Sequence, residues 1–365
     1  MRSAIVNQPE WLDEPIQQTH PHYAQQARAR QDQLTKPPGS LGRLEEIAIQ
    51  LAGLQQTPHP AVDPVQITLF AGDHGIAEDG VSAFDPMVTL QMMENFSNGG
   101  AAICVMSEEI GAQLEVVDVG TRWQGAVPQA VRDERIAAGT ANMRRQPAMT
   151  DEQFSAALTA GARAVDRSID QHGTRVFIAG EMGIANTTAA AAVVGALLNK
   201  PAPGLVGPGT GHDAAGLRHK AEAVDETLAL HREQLGGPAN LSEPWQAGRR
   251  VGGLELAAMT GAYIRCAQRG VVILLDGFIS GAAALLAERL RPGTRAWMIL
   301  GHGSAEPGHH RIVAALGGRP LLDFNMRLGE GSGAATAIPL MRMACAIHNR
   351  MATFAEAGVT PEGKG

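Results

Sequence analysis

Six short runs of apolar and β-branched residues punctuate the middle of the chain, and each stops at a polar loop that contains glycine. They are residues 66–70 before AGDHG, 114–118 before VGTR, 175–179 before GEMG, 271–275 before DGF, 296–300 before GHGS and 321–324 before NMRLGEG. Helical spacing of apolar positions fills most of the intervals, at 87–110, 152–170, 186–199, 253–268 and 279–291. Continuous apolar strands alternating with helices predict an α/β fold, with a parallel sheet of about six strands covered on both faces. Ligands of such sheets sit outside the carboxyl ends of the strands, so these loops are where chemistry is sought.

The two chain ends read differently. Ser40 is placed to cap a helix whose positions Leu41, Leu44, Ala48, Leu51 and Leu54 recur at three- and four-residue steps, with Glu45 and Glu46 in its early turns. The segment before it, Thr35-Lys36-Pro37-Pro38-Gly39, is too rich in proline for helix or central strand. Near the other end, Leu340, Met343, Ile347, Met351 and Phe354 form one helical stripe that stops near Gly358. Two helical ends of similar character predict a small helical domain of residues 1–59 with 329–365, beside a larger α/β domain of 60–328.

Composition narrows the function. Of 365 residues, 44% are hydrophobic and 18% charged, enough for a full core and too ordered for a disordered chain. A net charge of −7 and 4% aromatics offer neither a basic footprint nor stacking platforms for nucleic acid. The 43 glycines follow no period and point to tight backbone approaches. Cys104, Cys266 and Cys345 stand far apart with no C-x-x-C, which predicts three buried thiols and a reducing compartment. No apolar signal segment opens the chain, and its longest apolar stretch, 188–198, is too short for a bilayer. A cytoplasmic protein acting on small molecules, with no membrane partner, is the expectation.

Two glycine-bearing loops suggest anion binding. GEMGIANTT (180–188) leads from a strand into an Ala-rich helix, so the free N–H groups and the hydroxyls of Thr187 and Thr188 face the loop. GPGTG (207–211), with Lys220 following, can fold its amides around a phosphate but lacks nucleotide-triphosphatase spacing. Together they favour a phosphorylated substrate. In LGEGSGA, Glu330 lies between glycines, where a ligand can approach and partial desolvation would strengthen the carboxylate as a base. Glu181 and Glu306 are rival carboxylates, and Asp276 can hold either a hydroxyl or a main-chain turn. A metal reading of Asp73, His74, His302, His309 and His310 lacks H-x-x-x-H or H-E-x-x-H spacing. Ser82 and Ser304 lack the G-x-S-x-G elbow of serine hydrolases.

Taken in order, these segments resemble the nicotinate-nucleotide–dimethylbenzimidazole phosphoribosyltransferase family of cobalamin nucleotide-loop assembly. The matching stretches include TKPPGSLGRLE, FAGDHGI, FSNGGAAI, GEMGIANTT, GPGTG, GGLELAAMTGA, LLDGFISGAAAL, SAEPGH, LGEGSGA and MATFAEAGV, spanning about residues 34–359. The resemblance implies a Rossmann-like six-stranded parallel sheet, a small domain built from both chain ends, and a homodimer. It implies transfer of phosphoribose from nicotinate mononucleotide to a benzimidazole base, with neither metal nor organic cofactor. Glu330 then falls on the family's catalytic glutamate, and Lys220 falls in the active site. Ser82, Phe84, Met182 and Leu328 would line the slot for the flat base, and Gln91 would bind substrate. Glu181, Gly183, Asn186, Thr187, Gly209, Thr210, Gly211 and Asp276 would contact the rest of the substrates. Two positions depart from the family pattern. Ala185 replaces a glycine, which is tolerable at negative φ. SAFDPM puts Phe84 where the family has tyrosine, which leaves the accepted base open among benzimidazoles, purines and phenols. A different acceptor, or a non-catalytic binder of benzimidazole or nucleotide, is the alternative.

Overall fold

A computed structural model describes residues 8–207, 211 and 213–360. Its six strands are β1 Val65–Gly72, β2 Gln113–Gly120, β3 Val131–Asp133, β4 Val176–Met182, β5 Val272–Leu275 and β6 Met298–Leu300. All pair in parallel, in the order β3-β2-β1-β4-β5-β6. Every residue of β1 is buried, as both faces of a parallel sheet demand. The strand order reverses between β1 and β4, and the loops leaving these two strands diverge there to open a crevice.

The helices that cover the sheet begin with α1 Pro21–Gln31, α2 Arg43–Gln55, α3 Met87–Ser97, α4 Ala102–Glu109, α5 Asp151–His172 and α6 Asn186–Leu197. They continue with α7 Ala214–Leu235, α8 Pro238–Leu241, α9 Pro244–Val251, α10 Leu254–Arg269 and α11 Phe278–Leu290. The last are α12 His309–Leu316, α13 Ser332–Arg350 and the short α14 Phe354–Ala357. Thr150 opens α5 with a reciprocal capping box to Gln153, which satisfies two free donors of the first turn.

Several expectations shift. The run at 321–324 is not a strand of the sheet; it makes one parallel bridge, Leu322 to His302, beside β6. The sixth strand is β3, whose three residues pair with Val116, Val117 and Asp118 of β2. It is a short edge strand with Arg132 and Asp133 exposed, too polar to register as an apolar run. The run at 175–179 extends to Met182, so Gly180 and Glu181 belong to β4, opposite Leu69 and Phe70 of β1. The run at 296–300 starts in a 3-10 turn, Thr294–Trp297. The helix expected over 87–110 breaks into α3 and α4 at Asn98-Gly99-Gly100, where Gly99 takes φ 76°.

Ser40 does not cap α2, which starts after Gly42. Glu45 reaches back instead, accepting from the Leu41 N–H at 3.0 Å and pairing with Lys36 Nζ at 2.8 Å. The two chain ends are joined through Arg30 Nε to the His348 carbonyl at 2.7 Å, and through the Thr35 N–H to the Ala352 carbonyl at 3.0 Å. On α13, the buried face is Ala334, Ala337, Ile338, Met341, Ala344 and Cys345, not the expected stripe. Leu340 and Ile347 are half-buried and Met343 is exposed, because the small residues pack closely on α2 and α4. All three cysteines are buried and unpaired. Among the described residues, no helix is long and apolar enough to cross a membrane.

Candidate active site

A cavity of about 340 Å³ opens where β4, β5 and β6 end, within the usual range for a small-ligand pocket. Phe84, Val88, Met92, Met182, Phe278 and Leu328 make its apolar wall. Opposite them stand Glu181, Asn186, Thr187, Asp276, His302, Ser304, Glu306, Arg327 and Glu330.

Glu330 is held by an unusual backbone. Gly329, Glu330 and Gly331 take φ 92°, 64° and 83° in succession, a left-handed run that strains a residue bearing Cβ. Ser332, the first residue of α13, secures the loop by donating its hydroxyl to the Gly329 carbonyl at 2.7 Å. Glu330 Oε2 accepts from the Ile103 N–H at the start of α4, at 3.3 Å. Burial pushes this carboxyl above the ordinary glutamate range; the Ile103 hydrogen bond opposes the shift and the negative charge of Asp276 adds to it.

Glu181 lies beneath it, fully within the sheet. Its carboxylate accepts from the Asn186 side-chain amide and from the Glu330 main-chain N–H. Burial raises its pKa well above the usual value, and the charges of Asp276 and Glu255 push the same way. A Cβ at Gly329 would come within 2.2 Å of Glu181 Oε1, so glycine is required there for close approach as well as for φ. Behind this layer, His74 Nε2 meets Glu255 Oε1 at 2.7 Å in a buried pair. Burial alone would lower the His74 pKa, but the charge and hydrogen bond of Glu255 outweigh it, and the net shift is upward.

At the far side, Lys220 Nζ donates to Thr187 Oγ1 at 2.6 Å and to the Gly207 carbonyl at 3.4 Å. Burial lowers this ammonium to about 8, with the Glu306 carboxylate pulling the other way. The helix α6 begins in the same corner at Asn186; its Asn186 and Thr188 N–H groups donate to the Gly183 and Ala185 carbonyls, at 3.1 and 3.0 Å. A buried cation and the start of a helix thus meet beside Thr187.

Of the residues singled out in the sequence as contacting substrate, Phe84, Glu181, Met182, Gly183, Asn186, Thr187, Asp276, Leu328 and Glu330 line the cavity, as do the rival carboxylate Glu306 and the metal and hydrolase candidates His302 and Ser304. Lys220 stands one hydrogen bond behind Thr187. Ser82 does not reach the wall; its hydroxyl accepts from the Phe84 N–H at 3.2 Å. Gln91 is exposed, since α3 presents Val88 and Met92 to the cavity. Gly209 and Thr210 lie outside the described residues, and Gly211 is exposed and off the wall. Val88, Met92 and Arg327 were not anticipated. Val88 and Met92 carried a signal in their one-turn spacing, and Arg327 in being the cation of the NMRLGEG loop.

The metal reading finds no geometry. Asp73 Oδ2 accepts from the Arg122 N–H at 2.8 Å, His74 is paired with Glu255, and His302 stacks on His309 with ring centroids 6.3 Å apart. Among the described residues, no three His, Cys, Asp or Glu side chains are placed to hold one ion.

Ala185, whose methyl negative φ would tolerate, takes φ 76° instead, as the N-cap of α6. The left-handed conformation costs an alanine about 1 kcal/mol, while its buried methyl returns about 0.8 kcal/mol. Ala185→Gly is therefore expected to change stability by less than about 1 kcal/mol in urea unfolding. A larger loss would show that the methyl's packing, not the turn, dominates at this position.

A cavity at the carboxyl ends of a parallel sheet, walled by apolar side chains and a buried carboxyl, defines an α/β protein with a small-molecule site. The chain matches the family described as Phosphoribosyltransferase over residues 16–359, and it belongs to that family. It is 51% identical over 351 residues to nicotinate-nucleotide–dimethylbenzimidazole phosphoribosyltransferase of Pseudomonas aeruginosa PAO1, covering 96% of this chain and 98% of the relative. The enzyme of the same name from Pseudomonas putida KT2440 is 55% identical over 334 residues, covering 92% and 93%. The crystal structure of CobT from Thermus thermophilus superposes with a TM-score of 0.88 at 43% identity, covering 94% of this chain and 100% of that one.

Proposed function

We propose that this chain transfers the phosphoribosyl group of nicotinate mononucleotide to 5,6-dimethylbenzimidazole, giving α-ribazole 5′-phosphate and nicotinate. The observation that carries the reading is Glu330: a buried carboxyl of raised pKa on the wall of a cavity sized for flat rings. One ring nitrogen of the azole attacks C1′ of the ribose with its lone pair. The bond from C1′ to the nicotinate nitrogen breaks, and its electron pair neutralises the cationic pyridine ring. Glu330 takes the proton from the second azole nitrogen, so charge does not accumulate on the heterocycle. Because the leaving ring already bears positive charge, the departure needs no metal to polarise it. Attack opposite the leaving group inverts C1′ and accounts for an α-riboside.

Thr187, Lys220 and the α6 N-terminus are assigned the 5′-phosphate, and the apolar wall the two rings. Holding both rings on opposite faces of the sugar supplies much of the remaining rate. Lys220→Met is expected to raise KM for the nucleotide roughly 10- to 100-fold, the worth of a charge-assisted hydrogen bond. With a folded pKa of about 8, Lys220 is cationic below that pH and neutral above it. Nucleotide affinity in the wild type should therefore weaken as pH rises through 8, and calorimetry across this range should find that dependence absent in the variant.

The same reading makes the protein a cytoplasmic homodimer; the exposed apolar Met343 and Val105, at 51% and 55% on the adjacent helices α13 and α4, support a covering partner copy. Sedimentation tests it. The activity is tested by incubating protein with nicotinate mononucleotide and dimethylbenzimidazole, then measuring released nicotinate. Benzimidazole, a purine and a phenol run in parallel, because Phe84 offers the acceptor no hydroxyl. Tight binding without release for every acceptor would make the protein a carrier and overturn the proposal.

A further inference from the structure

Asp276 directly follows β5, where its buried carboxylate meets groups from α13 and from the loop after β6. Its Oδ1 accepts the Ala334 N–H at 2.9 Å and lies 3.4 Å from His302 Nε2. Its main-chain N–H donates to Ser280 Oγ at 3.1 Å, and Ser280 is in turn hydrogen-bonded to the buried Tyr263 hydroxyl at 2.7 Å. Ala334 belongs to the first turn of α13, immediately after the left-handed Gly329–Gly331 run. The bond therefore ties the loop that carries Glu330 to a rigid strand end 58 residues earlier in the chain. The ring of His302 closes the arrangement from beneath, since a Cβ at Gly333 would lie 2.0 Å from its Cδ2.

We propose that Asp276 is a positioning residue for Glu330, fixing the start of α13, and with it the loop that carries Glu330, through the Ala334 N–H. The proposal rests on Glu330 serving as the base. The groups facing Asp276 are Glu181 of β4, Glu330 before α13, His302 after β6, His309 of α12 and Tyr263 of α10. Those facing Glu330 are Asp276, Glu181 and Cys104 of α4. Of these, Asp276 is the negative charge that raises Glu330. A carboxylate beside the base makes the proton harder to release and the base stronger.

Asp276→Asn keeps an oxygen for the Ala334 N–H and removes the charge. The acid limb of kcat/KM should move to lower pH, and plateau kcat should fall roughly three- to tenfold as the base weakens. Asp276→Glu keeps the charge but displaces the acceptor, so it should lose kcat with the acid limb unmoved. An Asn variant with the wild-type profile, or a Glu variant with wild-type kcat, overturns the proposal; the Glu variant serves alone if the Asn variant does not fold. Carbon-13 titration of the Glu330 carboxyl, assigned by its loss in Glu330→Gln, reads the charge coupling without turnover. Its midpoint should fall in Asp276→Asn, and an unmoved midpoint refutes the coupling. Were the wild type to release no nicotinate while this midpoint moved, the assigned reaction would fail and the coupling would stand.

Discussion

Glu330→Gln is expected to bind both substrates and keep its fold while losing about 10²- to 10⁴-fold in turnover, the usual worth of general-base assistance. The exchange is nearly isosteric, and the amide oxygen can still accept from Ile103, so the left-handed loop is not asked to move. What disappears is the ability to take a proton from the azole. The pH dependence supplies a second reading. Glu330 acts as a base only when ionised, and burial raises its folded pKa, so kcat/KM in the wild type should fall as pH drops through that raised value. In the variant this limb should be absent. Calorimetry showing intact binding beside a rapid-quench measurement of nicotinate release decides the matter; wild-type turnover would remove Glu330 from the chemistry altogether.

The second large effect is on stability. Helices α5 and α10 cross with backbones in contact: a Cβ at Gly161 would lie 1.7 Å from the Ala258 carbonyl oxygen, and one at Gly261 would lie 1.9 Å from that of Leu158. Both obstacles are main-chain atoms inside helices, so no side chain can swing aside and the helices must separate. Gly161→Ala should cost about 3 kcal/mol, the upper part of the range for overpacking a close-packed interior. The double variant Gly161→Ala with Gly261→Ala should cost less than the sum, because one separation accommodates both methyls. Urea unfolding measures both. Since α10 carries Glu255 in its first turn, against His74, the separation should also reach the layer beneath Glu181 and lower activity in the folded variants. A change near zero for Gly161→Ala would mean that the crossing is looser than its geometry indicates.

These two effects belong to different parts of the sequence's legibility. The apolar runs that became β1, β2, β4 and β5 were readable because strands covered on both faces are mostly apolar. The glycine-flanked Glu330 was readable because its neighbours advertise a backbone that few residues can adopt. The free cysteines and the glycine-bearing loops at the strand ends follow from local composition in the same way.

Local pattern was silent where partners are distant. The edge strand β3 is recognisable only from its pairing with β2, and the pattern assigns Glu181 to a loop because a buried carboxylate inside a strand contradicts the apolar rule. Its acceptance of the Asn186 amide and the Glu330 N–H is what makes that burial tolerable. The outward turn of Leu340 and Met343 came from a choice between two apolar faces of α13, which periodicity weighs equally and packing against α2 and α4 decides. Ser82 and Gln91 fell off the cavity wall because proximity in sequence to Phe84 and Val88 does not set where a side chain points.

By itself, then, the chain's pattern determined an alternating parallel architecture and the loops that gather at one edge of the sheet, and it left three carboxyls in those loops as rivals. Which strands stand side by side, which acids share one hollow, and which N–H groups hold them were decided only by tertiary structure. The reason is physical: backbone conformation and burial preference act over a few residues, whereas the contact from Ile103 to Glu330 spans 227 positions and that from Asp276 to Ala334 spans 58. Such contacts exist only once the whole core has closed around them.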